Sequence, residues 1–146
     1  MIHITKVVRF EMAHAIADYP GDCRNIHGHS YELHVTVTGR NVTVDDFLLY
    51  PGFEVDFKEL KKLIYASITE LLDHKIILSS RFLSEHSEIQ TIENLIIWEI
   101  EPTAENILIF IKNKLIATLP EYIKLENLKI FETHDSYAEW YSNSLV

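Results

Sequence analysis

A single cysteine, Cys23, among 146 residues excludes an internal disulfide and suits a reducing compartment. Basic residues are scarce as well. Thirteen Lys and Arg face 22 Asp and Glu, for a formal net charge of −9. Without a basic stripe to replace phosphate counterions, nucleic acid is excluded as the main partner. No apolar run approaches the roughly 20 residues needed to cross a bilayer, so no membrane partner is expected. Lys6 and Arg9 interrupt the first apolar stretch and no cleavage site follows, so no signal peptide is expected and the location is read as cytoplasmic. Internal repeats, linkers, low-complexity segments, glycine-rich phosphate loops and nucleophile elbows are all missing. What remains is a 47% hydrophobic chain of ordinary domain size, read as one domain over residues 1–146.

The chemistry concentrates between Asp22 and Val35. Cys23 is followed by His27-Gly28-His29 and then an alternating run. On a strand, residues i and i+2 share a face, so His27 and His29 project side by side as a pair of possible metal ligands. Tyr31, Leu33, Val35 and Val37 continue their parity, and His34 falls on the other face, toward solvent. Upstream, Ile4, Val8, Phe10, Met12 and His14 share one parity of a first strand. Tyr19-Pro20-Gly21-Asp22 signals a turn that folds the second strand back on the first. His14 is then either a core histidine with a satisfied partner or the third ligand beside His27 and His29. Three neutral imidazoles make Zn²⁺ the natural first guess.

Further on, Asp45 and Asp46 mark a turn. Asp56 caps a helix with Glu59 three residues later, and Phe57, Leu60, Leu63, Ile64, Ile68, Leu71 and Leu72 form its apolar stripe. Asp73-His74 closes it, read either as a carboxylate orienting an imidazole or as an exposed last turn. Lys75–Leu78 and Asn94–Ile100 predict short strands, an extra hairpin around a polar connection with a solvated His86. Thr103 caps a second helix whose first turn holds Glu105, and Ala104, Ile107, Leu108, Ile111 and Leu115 line its buried side. Two last strands flank His134-Asp135-Ser136. Glu132 shares parity with Leu128 and Ile130, and an inward carboxylate needs a partner. The order predicts an α+β domain, two helices on one face of an antiparallel sheet.

Six motifs in this order, Phe10-Glu11-Met12-Ala13-His14, Cys23 to His29, Gly52 to Phe57, Leu72-Asp73-His74, Pro102 to Asn106 and Phe131-Glu132-Thr133, resemble the 6-pyruvoyl-tetrahydropterin synthase / 6-carboxy-tetrahydropterin synthase family. The resemblance runs from about residue 4 to the C-terminus. It implies the tunnelling fold (T-fold), in which three subunits close their sheets into a barrel and two rings stack as a homo-hexamer, a dimer of trimers. It also implies a zinc-dependent lyase acting on a small-molecule pterin. His14, His27 and His29 would bind Zn²⁺, Cys23 would be the base, and Asp73 and His74 its acid/base partners. Glu132 would anchor the pterin ring, with Thr103 and Glu105 lining the pocket.

The three residues between Cys23 and His27 resemble the carboxy-forming branch. That branch converts 7,8-dihydroneopterin triphosphate to 6-carboxy-5,6,7,8-tetrahydropterin, acetaldehyde and triphosphate, toward queuosine and other 7-deazaguanines. Alternatives are the pyruvoyl-forming branch, which stops at triphosphate elimination, and a folate-type branch with glutamate at or beside the cysteine. The cysteine is present here, with Asp22 beside it, which disfavours the latter. The segment from Lys75 to Glu101 is longer than the family's usual link. A non-enzymatic alternative is a closed Cys-His₃ structural zinc, which has no use for Asp73, His74 or an inward Glu132. Arg24, Lys75 and Arg81 are candidates for the triphosphate contacts.

Overall fold

The computed structural model describes residues 2–39 and 43–142. Strand β1 (Ile4–His14) and strand β2 (His27–Thr38) form a long antiparallel hairpin, with Ile4 opposite Val37 and His14 opposite His27. The period-2 patterns of the two strands agree with this register. Val8, Phe10, Met12 and His14 of β1 are buried on the same face as Tyr31, Leu33, Val35 and Val37 of β2. His34 belongs to the other face, where it bonds Glu32 at 2.8 Å and stays partly exposed. Strands β3 (Thr43–Val44) and β4 (Phe47–Leu48) make a small separate hairpin. Asp45 and Asp46 both have positive φ there, the backbone a tight two-residue turn requires. Residues 40–42, within the stretch Gly39–Gly52 that the sequence reads as a hairpin or loop, lie outside the described residues.

Helix α1 (Phe57–Ile64) begins on Asp56, whose side chain accepts from the Lys58 and Glu59 amides. The Glu59 carboxylate accepts from the Tyr122 hydroxyl. Residues Tyr65–Thr69 continue as a π-turn into α2 (Glu70–Leu72). The buried residues Leu60, Ile64, Ile68 and Leu72 recur every four positions. In a regular α-helix each such step drifts by about 40° around the axis. The wider π-turn offsets that drift and keeps all four side chains on the sheet. Phe57 and Leu71, members of the predicted stripe, fall outside the face and are exposed.

Strand β5 (Lys75–Ser79) leads into α3 (Ser80–Glu85), a 3₁₀ turn (Ser87–Thr91) and strand β6 (Leu95–Trp98). Here the structure departs from the predicted hairpin: β5 runs parallel to β1, and β6 parallel to β5. A parallel pair needs a crossover, and the connection from Ser79 to Glu93 is long enough to supply one. It is less polar than its composition suggests, because Phe82 and Leu83 pack with Ala15 and Leu78 in a small second core. His86 is half-buried, stacked on Phe82 at 4.3 Å. Helix α4 (Ala104–Thr118), capped by Thr103, then packs on β7 (Lys124–Thr133) and β8 (Ser136–Tyr141).

The sheet order is β6-β5-β1-β2-β7-β8, antiparallel from β1 to β8 and parallel at the β5–β6 edge. The main core lies between this sheet and the two long helical segments. No described helix is long and apolar enough to cross a membrane. Leu128, fully buried in that core, gives a stability test. Leu128→Ala should lower unfolding free energy by about 2–5 kcal/mol, read as a lower denaturation midpoint with unchanged slope.

Candidate metal centre and pterin site

The β1–β2 register brings three histidines together. His14 and His27 are cross-strand partners, and His29 is two residues further on the same face of β2. Their rings form a triangle with centroids 4.6, 5.2 and 5.0 Å apart. One nitrogen from each lies within 4.8 Å of the others. His14 is almost fully buried, while His27 and His29 are partly so.

The surrounding backbone decides what those nitrogens can do. His14 Nδ1 is 2.6 Å from the Pro102 carbonyl, and His27 Nδ1 is 2.7 Å from the Asn25 carbonyl. A carbonyl only accepts, so each Nδ1 carries the proton and each Nε2 presents a lone pair. These two lone pairs face each other at 3.1 Å. His29 Nε2 is buried with no hydrogen-bond partner. Burial pushes the pKa of both His14 and His29 below 6.5, which keeps the rings neutral at pH 7. Two imidazole lone pairs oriented from behind by carbonyls, with the unpartnered His29 Nε2 converging on them, are a donor set that fits a metal ion.

Glu132, on β7 next to Phe131, closes one side of this triangle. Its Oε1 accepts from the Tyr31 hydroxyl at 3.2 Å and lies 3.4 Å from His14 Nε2 and 3.7 Å from His29 Nε2. Burial, followed by the charge of Glu132, pushes the Tyr31 phenol well above its usual pKa, so it remains a donor. Cys23 sits half-buried in a 3₁₀ turn (Asp22–Arg24), its carbonyl accepting from the Ile16 amide at 2.9 Å. Among the described residues, the metal-ligating cluster contains the three histidines and not Cys23.

Asp73 and His74 occupy a separate position, on the β5 side of β1. Asp73 Oδ1 accepts from the Glu11 amide at 2.8 Å, and Oδ2 lies 3.0 Å from His74 Nδ1. The Glu11 N–H, then His74, hold the Asp73 carboxyl below its usual range. His74 has positive φ, and its backbone amide donates to the Glu11 carbonyl while its carbonyl accepts from Asn94. Glu11 is three residues from His14, roughly 10 Å along the strand. Thr103 caps α4 directly after Pro102, and Glu105 is exposed in the first helical turn. Arg81 is ion-paired with Asp18, which commits its guanidinium within the protein. Arg24 is exposed and Lys75 half-buried.

Residues 3–143 match the protein family described as 6-pyruvoyl tetrahydropterin synthase. The chain belongs to this family. It is 32% identical over 143 residues to the 6-carboxy-5,6,7,8-tetrahydropterin synthase of Rickettsia bellii, covering 95% of this chain and 99% of that one. An uncharacterized protein, WS1659 of Wolinella succinogenes, superposes with a TM-score of 0.75 at 19% identity, over 97% and 98% of the two chains. The Caenorhabditis elegans 6-pyruvoyl tetrahydropterin synthase does so with 0.66 at 21%, over 97% and 96%.

As a member of the tetrahydropterin synthase family, the protein is a lyase-type enzyme with the T-fold subunit. The three histidines fit a metal site of that family. Four features of the site escaped the sequence. The Pro102 and Asn25 carbonyls leave no side-chain signal to read. Tyr31 shows only the parity of His27 and His29, and nothing in that parity announces its bond to Glu132. Glu101, whose carboxylate accepts from the Ala17 amide at 2.8 Å, stands just past the predicted strand Asn94–Ile100, at the end of the extended segment, with no role assigned to it.

Proposed function

We propose that this enzyme converts 7,8-dihydroneopterin triphosphate and water into 6-carboxy-5,6,7,8-tetrahydropterin, acetaldehyde and triphosphate. The observation that carries this reading is the near end-to-end likeness to a relative named for that product. The Cys23-x₃-His27-Gly28-His29 spacing supports it. In this reading the ion held by His14, His27 and His29 is Zn²⁺. When bound, zinc supplies a Lewis acid that polarises the substrate's side-chain oxygens and makes the adjoining C–H more acidic.

The protein's own groups do the rest. Cys23, outside the ligand triangle, is free to take a proton from substrate carbon. Glu132 faces the same space with a carboxylate that can accept two N–H bonds from a pterin ring, and Tyr31 steadies it by donating to Oε1. In this reading Thr103 and Glu105, at the start of α4, line the pterin pocket. Asp73 stays anionic and orients the His74 imidazole for proton exchange. Asp73 and His74 bond Glu11 and Asn94, and in this reading they are the acid/base partners of Cys23. In the same reading the sheets close into a barrel within a cytoplasmic homo-hexamer. The product would feed synthesis of queuosine or related 7-deazaguanines.

Two results test the proposal. Wild-type enzyme with 7,8-dihydroneopterin triphosphate should release about one acetaldehyde per substrate consumed, followed with a coupled alcohol dehydrogenase, as the balanced equation requires. Triphosphate release without acetaldehyde would place the enzyme in the pyruvoyl-forming branch instead. Glu132→Gln keeps the side-chain shape but replaces an acceptor oxygen by a donor. Pterin affinity should fall by about 1.5–3 kcal/mol in calorimetry, with metal content unchanged. Equal affinity would remove Glu132 from the pterin contact.

A further inference from the structure

The loop that carries Cys23 is tied down by the long segment between His74 and Thr103. Three ties converge on residues 15–18. Ala15, fully buried, packs with Leu78, Phe82 and Leu83. The Ala17 amide donates to Glu101 Oε2 at 2.8 Å. Asp18, held at φ 56°, pairs with Arg81. Between the first two ties, the Ile16 amide donates to the Cys23 carbonyl. Glu101 is therefore two hydrogen bonds and one residue away from the cysteine backbone.

Glu101 and its neighbour also reach the other parts of the site. The next carbonyl, Pro102, accepts from His14 Nδ1. The Glu101 carbonyl accepts from the Thr103 amide and from Asn106 Nδ2, at the start of α4. One dipeptide thus bonds to the Cys23 loop, the buried histidine and the helix start that bears Thr103 and Glu105. Of these bonds, only the one from Ala17 is accepted by a side chain of the dipeptide, the Glu101 carboxylate.

We propose that Glu101 is a positioning residue, which fixes the distance between Cys23 and the histidine centre by holding the Ala17 amide. Its role in turnover rests on Cys23 being the base, as proposed above. Its role in loop order does not. The charge-assisted bond replaces water at an amide the loop cannot pair internally, and its loss frees residues 16–23 to move together.

The sole cysteine makes the test site-specific. Second-order alkylation of Cys23 by iodoacetamide at one fixed pH reports the loop without any turnover. In Glu101→Ala, alkylation should be about tenfold faster, because an amide bond to a charged acceptor no longer opposes opening. In the same protein kcat should fall about tenfold or more, while KM and metal content stay near wild type. Glu101→Gln keeps an oxygen acceptor and should stay near wild type in both readouts. Arg81→Met breaks a mostly exposed pair and should accelerate alkylation less, by about twofold, since exposed ion pairs contribute little. Alkylation of Glu101→Ala at the wild-type rate would overturn the proposal. Should that variant not fold, Glu101→Ser, whose short side chain also cannot reach the Ala17 amide, decides in its place by the same two outcomes. If the wild type shows no pterin turnover but alkylation still accelerates, the positioning of the loop stands and the catalytic reading of Cys23 falls.

Discussion

His29→Ala protein should retain only a small fraction of the roughly one metal ion per chain expected of the wild type, and turnover should fall with it. His29 Nε2 is buried without a partner, the state of a ligand atom whose counterpart is an ion. Alanine there leaves two imidazoles for an ion that needs at least three protein ligands in sites of this kind. His27→Ala should behave alike, since its ring is oriented for the same point by the Asn25 carbonyl. Binding should also weaken in acid, where protons compete for the imidazoles. Metal analysis after gel filtration reads the effect. Wild-type metal content in both variants would remove the three-histidine site.

Cys23→Ala separates a base from a ligand. Because Cys23 lies outside the histidine cluster, the variant should keep its metal. Turnover should nevertheless drop by a factor of roughly 10² or more, the usual contribution of a positioned general base. Loss of the ion together with activity would favour the closed Cys-His₃ arrangement.

The hairpin and its histidines were legible because strand parity is a local property. Alternation in Ile4–His14 and in the run after His29 places His14, His27 and His29 on one face, and a turn signal between the strands does the rest. Helix starts at Asp56 and Thr103 were legible for the same reason, since a cap acts within one turn. Pairing direction is not local. Nothing in Lys75–Leu78 distinguishes a hairpin from a parallel crossover, and the apolar Phe82 and Leu83 were the one hint that the connection is folded. The stripe of α1 was read at a regular 3.6 period, which the π-turn breaks, exposing Leu71. Carbonyl contacts such as Pro102 to His14 span 88 residues and involve no side chain on one partner, so no residue pattern encodes them visibly.

The mass of the pterin formed from 7,8-dihydroneopterin triphosphate is the most direct test of the proposed reaction. The expected mass is that of 6-carboxy-5,6,7,8-tetrahydropterin, with a single carbon left at the 6-position. A pterin that keeps its three-carbon side chain, or carries a 6-hydroxymethyl group, would contradict it.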